Sequence, residues 1–376
     1  MVSNHRSDVQ VAFLSSAHWW ATLGRPNWRG RLTAGFPAIN NRIFAMGFSL
    51  PGHYVWDFWF AKDKGTYHLY CLTAPRTQEH PDLRHPKARI YHATSLDLED
   101  WDYHGVVLGP AIGPGWDDGT TWTGSVVRRP DGKWMMFYTG TQKAEDCQIQ
   151  RIGAAVSDDL HDWQRLGNEA LLEADAQYYE SYDVSRWHDQ SFRDPWVFED
   201  AATGGWRMLF TARDNDINAR GAGVIGQASS PDLTNWTVEP PLFRIGYYGE
   251  MEVPQLFQLD GWWYCLFSNS SRLRDPAYLA TGRCGMCTGT HYVRSRNPNG
   301  PFELVEELFF AGDAVGHLYG GRVIEVPDGR LALMTFLNHR PDGSFVGEIT
   351  SPMRLWTTPE GYLRVDASKY GVPLRD

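Results

Sequence analysis

Three carboxylates stand where a folded chain avoids charge. Asp57 lies inside YVWDFWF (54–60), Asp194 inside SFRDPWVF (191–198) and Glu252 inside EMEVPQLF (250–257), each flanked by large apolar residues. Burying a carboxylate is costly unless it is paired or put to use. One reading is a set of buried ion pairs, with Arg193 and another cation as partners. The other is chemical. Carboxylates forced together in a partly desolvated pocket have their pKa values driven apart, which yields one proton donor and one ionised group. An acid and a base or nucleophile of this kind are the equipment for cleaving a glycosidic bond.

The segments that carry these residues belong to a repeat. Five apolar openings, at 54–60, 121–127, 191–198, 250–257 and 316–326, are each followed by a turn and a β-rich run: TYHLYCLTA, KWMMFYTG, WRMLFTA, WWYCLFSN and RLALMTFLN. Lys64-Gly65, Asp131-Gly132, Gly204-Gly205, Asp260-Gly261 and Asp328-Gly329 occupy the turns, the chemistry expected of tight hairpins. Three units continue with ATSLDLEDW (93–101), AVSDDLHDW (155–163) and ASSPDLTNW (228–236), and VRSRNPNGPF (293–302) is a degenerate fourth copy. A period of about 65 residues holding roughly four short strands predicts an all-β fold, a five-bladed β-propeller. Its opening strands line a central funnel, where Asp57, Asp194 and Glu252 should meet. Asp97, Asp159 and Asp232 recur at one place in each unit, so they are expected to be structural, capping a blade-end turn over a packed Trp. Closure of the ring should place residues 20–50 beside the last blade, and the whole of 1–376 reads as one propeller domain with no linker.

Composition narrows the partners. A formal charge of −10 argues against nucleic acid, and 52 aromatic residues, 17 of them Trp, suit both blade packing and sugar stacking. No apolar run reaches membrane-spanning length. Residues 11–23 are mildly apolar, but two Trp and a His spoil them as the apolar core of a secretory signal, so a cytoplasmic location is expected. The five Cys form no disulfide framework, and the Cys284/Cys287 pair lacks the second pair or the His ligands of a structural zinc site. No metal or cofactor is expected.

These motifs resemble the five-bladed propeller fructosidases and fructosyltransferases of glycoside hydrolase families 68 (levansucrases) and 32 (invertases and fructan hydrolases). VWDFW (55–59) resembles the levansucrase nucleophile motif, and TWTGS (121–125) a Trp-Ser-Gly-Ser segment shared by both families, with Thr123 replacing the first Ser. FRDP (192–195) matches Arg-Asp-Pro, and GEMEVP (249–254) combines a levansucrase-like Glu-x-Glu with an invertase-like Pro. The resemblance implies a retaining β-fructofuranoside hydrolase or transferase with no C-terminal β-sandwich. Asp57 would be the nucleophile, Glu252 the acid/base and Asp194 the transition-state stabiliser. Trp56, Trp122, Thr123, Arg193, Glu250 and Tyr319 would bind substrate, with Arg193 and Asp194 holding the 3- and 4-hydroxyls. The loop 178–190 should shape the leaving-group side of the funnel. Phe58, Val253 and the absence of an Asn-Asp-Pro-Asn motif mark a divergent relative. Inverting arabinofuranosidase propellers and a non-catalytic sugar-binding propeller are the competing readings. Asp57 is expected to be held ionised by donors, including the Thr-Gly-Ser strand. Glu252 is expected to be kept protonated by Met251, Val253 and Pro254.

Overall fold

The computed structural model describes residues 47–77, 80–216, 218–283, 285–305 and 309–374, all within the unit Ile43–Asp376. The strands form five antiparallel sheets. Blade 1 comprises β1 (His53–Asp63), β2 (Thr66–Pro75), β3 (Arg89–Ser95) and β4 (Asp102–Leu108), and blade 2 comprises β5 (Thr120–Arg128), β6 (Trp134–Thr141), β7 (Gln150–Ser157) and β8 (Gln164–Arg165). Blade 3 comprises β9 (Phe192–Asp200), β10 (Gly205–Arg213), β11 (Gly223–Ser230) and β12 (Thr237–Phe243). Blade 4 comprises β13 (Glu252–Leu259), β14 (Trp262–Asn269), β15 (Thr288–Ser295) and β16 (Glu303–Leu304), with β17 (Ala311–Asp313) also paired to β15. Blade 5 comprises β18 (Leu318–Glu325), β19 (Leu331–His339), β20 (Phe345–Ile349), β21 (Met353–Thr357) and β22 (Leu363–Val365). The first strands β1, β5, β9, β13 and β18 pack one against the next, and β18 returns to β1, closing a ring.

Local chemistry explains the regularity. At Lys64-Gly65 and Asp260-Gly261 both turn residues have positive φ (48° and 89°; 47° and 75°), the mirror-image turn whose twist matches antiparallel strands. The second strands are mostly apolar and mostly buried, β6 at every position, because neighbouring blades cover both faces. The Asp-Leu-x-x-Trp segments are blade-end turns as expected. Ser95, Ser157 and Ser230 accept from the backbone N–H groups two and three residues ahead. Asp97, Asp159 and Asp232 then accept from the next two N–H groups of the turn. The intervening Leu98, Leu160 and Leu233 take φ of 68–70° and bury their side chains completely.

The ring is closed by backbone from the N-terminal side. Phe48 exchanges both hydrogen bonds with Ile349 of β20 (3.1 and 2.9 Å), and its ring meets Tyr91, Trp101 and Tyr103 of blade 1. Residues 47–50 therefore lie where closure requires. The rest of the 20–50 expectation, the single-domain reading of residues 1–46 and the segment 11–23 lie outside the described residues. Cys284 does too; Cys71, Cys147 and Cys265 carry free thiols.

Candidate active site

Every inner strand breaks its ladder once, and the breaks fall at the residues singled out above. Register slips occur between Trp56 and Phe58 on β1, between Trp122 and Gly124 on β5, at Asp194–Pro195 on β9, at Val253–Pro254 on β13 and at Gly320–Gly321 on β18. A bulge releases one residue from pairing and turns its side chain away from the pleat. The free residues are thus Asp57, Thr123 and Asp194, while on β13 the bulge directly follows Glu252. Asp194 (φ 61°) and Val253 (φ 56°) hold left-handed backbone although neither is Gly, and each precedes a proline, which has no N–H to lose to the ladder. Such backbone persists only where its surroundings impose it, and it gathers at working sites. Val253 N–H donates to Asp194 Oδ2 at 3.1 Å and Thr211 Oγ1 donates to the same oxygen at 2.8 Å, locking two inner strands together.

The bulges bring the expected residues together and sort them into two tiers. Asp57, Trp122, Glu252 and Tyr319 are half-buried. Behind them Trp56, Thr123, Arg193, Asp194 and Glu250 are buried. Thr123 Oγ1 donates to Asp57 Oδ2 at 2.8 Å. Arg193 joins both glutamates through one nitrogen, Nη2, at 2.6 Å to Glu250 Oε2 and 2.9 Å to Glu252 Oε1. Tyr319 donates its hydroxyl to Glu252 Oε2. Glu250 also accepts from Trp187 Nε1 (2.9 Å) and Ser191 Oγ (3.1 Å), so both its oxygens are engaged and its side chain is only 2% exposed, against 22% for Glu252. Trp187 comes from the 178–190 loop, which reaches the site through this bond, while residues 181–186 of the same loop are exposed. Trp122 Nε1 donates to the carbonyl of His85, and Trp56 meets the His85 ring edge-on at 5.8 Å.

This environment separates the charge states. Burial pushes Glu252 up to about 8; Arg193 opposes this, and Glu250 adds to it. Burial also pushes Glu250 upward, but Arg193, His188 and the Trp187 N–H outweigh it and bring that carboxyl down to about 2. The two glutamates thus share one arginine and hold opposite protonation states at neutral pH. Asp57 has its expected donor in Thr123, yet it is raised to about 6, by burial and by Asp194, with Thr123, Arg322 and Arg84 pulling the other way. It remains the more acidic of the facing pair, and ionised at pH 7.

Arg322 and Arg84 were not among the expected site residues. Arg322, fully buried on β18, donates to the carbonyls of Phe58 (3.3 Å), Val253 (3.2 Å) and Pro254 (2.6 Å), thereby tying blade 5 to blades 1 and 4 beneath Asp57 and Asp194. Arg84 stacks on Phe345 at 3.9 Å and lies 5.4 Å from the Trp56 ring. An arginine inside the apolar run LYGGRVIEV was the available signal for Arg322; Arg84 sits in a polar loop and carried none.

Comparison with known proteins agrees with this architecture. Residues 59–305 match the model of the glycosyl hydrolases family 32 N-terminal domain. An insoluble beta-fructofuranosidase isoenzyme of Arabidopsis thaliana, CWINV1, is 30% identical over 203 residues, covering 52% of this chain and 30% of that protein. The extracellular sucrase of Zymomonas mobilis is 26% identical over 316 residues, covering 72% of this chain and 73% of the sucrase. The chain spans about a third of the length of the first plant relatives it matches. Among solved structures, the inulosucrase from Halalkalicoccus jeotgali bound to kestose shares the fold with a TM-score of 0.70 at 24% identity, over 86% of this chain and 90% of that one. With a family match across most of the propeller and the carboxylates gathered at its axis, the chain belongs to glycosyl hydrolase family 32.

Proposed function

We propose that this protein cleaves β-fructofuranosides with retention of anomeric configuration. The observation that carries the reading is the split between Glu252, protonated and facing the funnel, and Glu250, ionised and locked behind it on the same arginine. The names of the beta-fructofuranosidase and sucrase relatives support the substrate class, and the family membership supports the reaction type.

In this reading Asp57 attacks the anomeric carbon while Glu252 passes its proton to the departing glycosidic oxygen, leaving an ester between sugar and Asp57. Thr123 occupies Oδ2, so Oδ1 is the attacking oxygen. Gly320 keeps space beside it, since a Cβ there would sit 3.3 Å from Oδ1. Glu252, now ionised, takes a proton from water or from a sugar hydroxyl, which then opens the ester: water gives hydrolysis, a sugar gives transfer. Asp194 stabilises the positive charge that develops on the ring, Arg193 holds the two glutamates and offers donors to the sugar hydroxyls, and Tyr319 holds Glu252 in line. Trp122, half-buried, offers an aromatic wall, and His85 stands between it and the buried Trp56. Incubation with sucrose, kestose and arabinofuranosides, with the first-formed anomer followed by NMR, tests this. Release of fructose with retained configuration is expected; cleavage of arabinofuranosides alone, or inversion, would overturn it.

A further inference from the structure

Away from the funnel, at the junction of blades 1 and 2, four imidazoles collect. His68 lies on β2, His92 on β3, His104 on β4 and His161 in the turn between β7 and β8. The rings of His92, His104 and His161 are mutually 4.8 Å apart between centroids, and a ligand nitrogen from each lies within 4.8 Å of the other two. His68 Nδ1 is 3.0 Å from His92 Nε2, so that nitrogen is committed. His92 is fully buried, yet its Nδ1 has no hydrogen-bond partner among the described residues. A buried ring nitrogen without a partner requires an explanation.

We propose that His92, His104 and His161 form a site for a divalent transition-metal ion of the zinc class, distinct from the catalytic funnel. Imidazole is a favoured ligand for zinc and its neighbours in the first transition row, and three of them leave a fourth position for water. The second layer is also present. With His92 Nε2–H donating to His68 Nδ1, Nδ1 of His92 carries the lone pair that a metal needs. Thr94 Oγ1 lies 2.8 Å from His104 Nε2 and orients that ring. Asp63 and Asp159 place negative charge nearby. His104 and His161 are exposed, which gives an ion its entry and lets the two outer rings swing in. A bound ion would clamp blade 1 to blade 2, with two ligands from β3 and β4 and one from the next blade.

The test uses the tag-free protein stripped of metal with a chelator. Zinc titration by calorimetry should show one saturable equivalent. Cobalt should give the visible absorption bands of a low-coordinate nitrogen site, and zinc should raise the unfolding temperature. His104→Ala and His161→Ala change exposed side chains and should leave the fold intact, while weakening uptake at least about 100-fold and abolishing the cobalt bands. His80→Ala, elsewhere on the surface, should change nothing. The proposal is overturned if no saturable uptake occurs, or if uptake survives both cluster variants. It is equally overturned if uptake is lost in His188→Ala, which would place the ion with His188, Asp189 and Glu250 in the funnel.

Discussion

At the scale of single residues, the proposed chemistry rests on Glu252 and Asp57 keeping different charge states. With Glu252 near 8 and Asp57 near 6, kcat/KM should follow a bell, rising as Asp57 ionises and falling as Glu252 loses its proton. Glu252→Gln should remove the upper limb and keep the lower one, with activity on sucrose reduced by about 10²–10⁴-fold. Donors with leaving groups that need no protonation should lose much less. Thr123→Ala deletes the hydrogen bond that favours ionised Asp57, so the lower limb should move to higher pH. The same shifts affect stability. Glu252 has a folded pKa above its ordinary 4.5, so its contribution is full below that value and is lost as pH rises toward 8. Glu252→Gln should therefore be more stable than the parent, by a margin that grows from about pH 5 to 8 and reaches on the order of a few kcal/mol. Denaturant titrations across that range check this. Asp57, Asp194 and Glu252 were legible in the sequence because charge inside an apolar strand is conspicuous. The relation between Glu250 and Glu252 was not, because it depends on Arg193 and Trp187 arriving from sites about 60 residues away in the chain. The upward push on Asp57 was not legible for a like reason: the field of Asp194 is a tertiary property.

At the scale of elements, the blade-end turns and the bulges divide stability from function. Ser230 is buried and accepts from two backbone N–H groups, at 3.2 and 2.9 Å. Ser230→Ala leaves those donors short of a partner and should cost about 1–2 kcal/mol, with kcat/KM unchanged. Gly320→Ala should cost function as well as stability. At φ 62°, and with a new Cβ crowding Phe336 and Asp57 Oδ1, it should lower kcat while the remainder of β18 still pairs. Strand positions and hairpin turns were readable because apolar runs and X-Gly pairs are local signals. The five bulges were not readable. Only the prolines at 195 and 254 and the Gly320-Gly321 pair hint at them, and nothing in VWDFW or TWTGS marks an extra residue.

At the scale of the whole molecule, the fold holds together by closing on itself. Phe48, 1% exposed, joins blade 5 to blade 1 through backbone and ring. Phe48→Ala should destabilise the propeller by about 3–5 kcal/mol, read from the urea midpoint, because it empties a core position at the seam. Arg322 performs the inner half of the same closure, and its charge also faces the carboxylates, so the axis is at once the mechanical and the electrostatic centre. The period of the repeat made the five-bladed ring legible, since each unit announces its own first two strands. The four-histidine cluster was invisible, because its members come from four segments with no spacing in common. The central claim is that Asp57 becomes covalently linked to the sugar while Glu252 manages the proton. The most direct measurement is mass-spectrometric mapping of Glu252→Gln, quenched during turnover of an activated β-fructofuranoside that needs no acid assistance. A hexosyl ester on Asp57 is expected, because formation of the ester no longer depends on Glu252 whereas its hydrolysis does. Sugar attached to a different carboxylate, or a first product of inverted configuration with Asp57 unmodified, would contradict the mechanism.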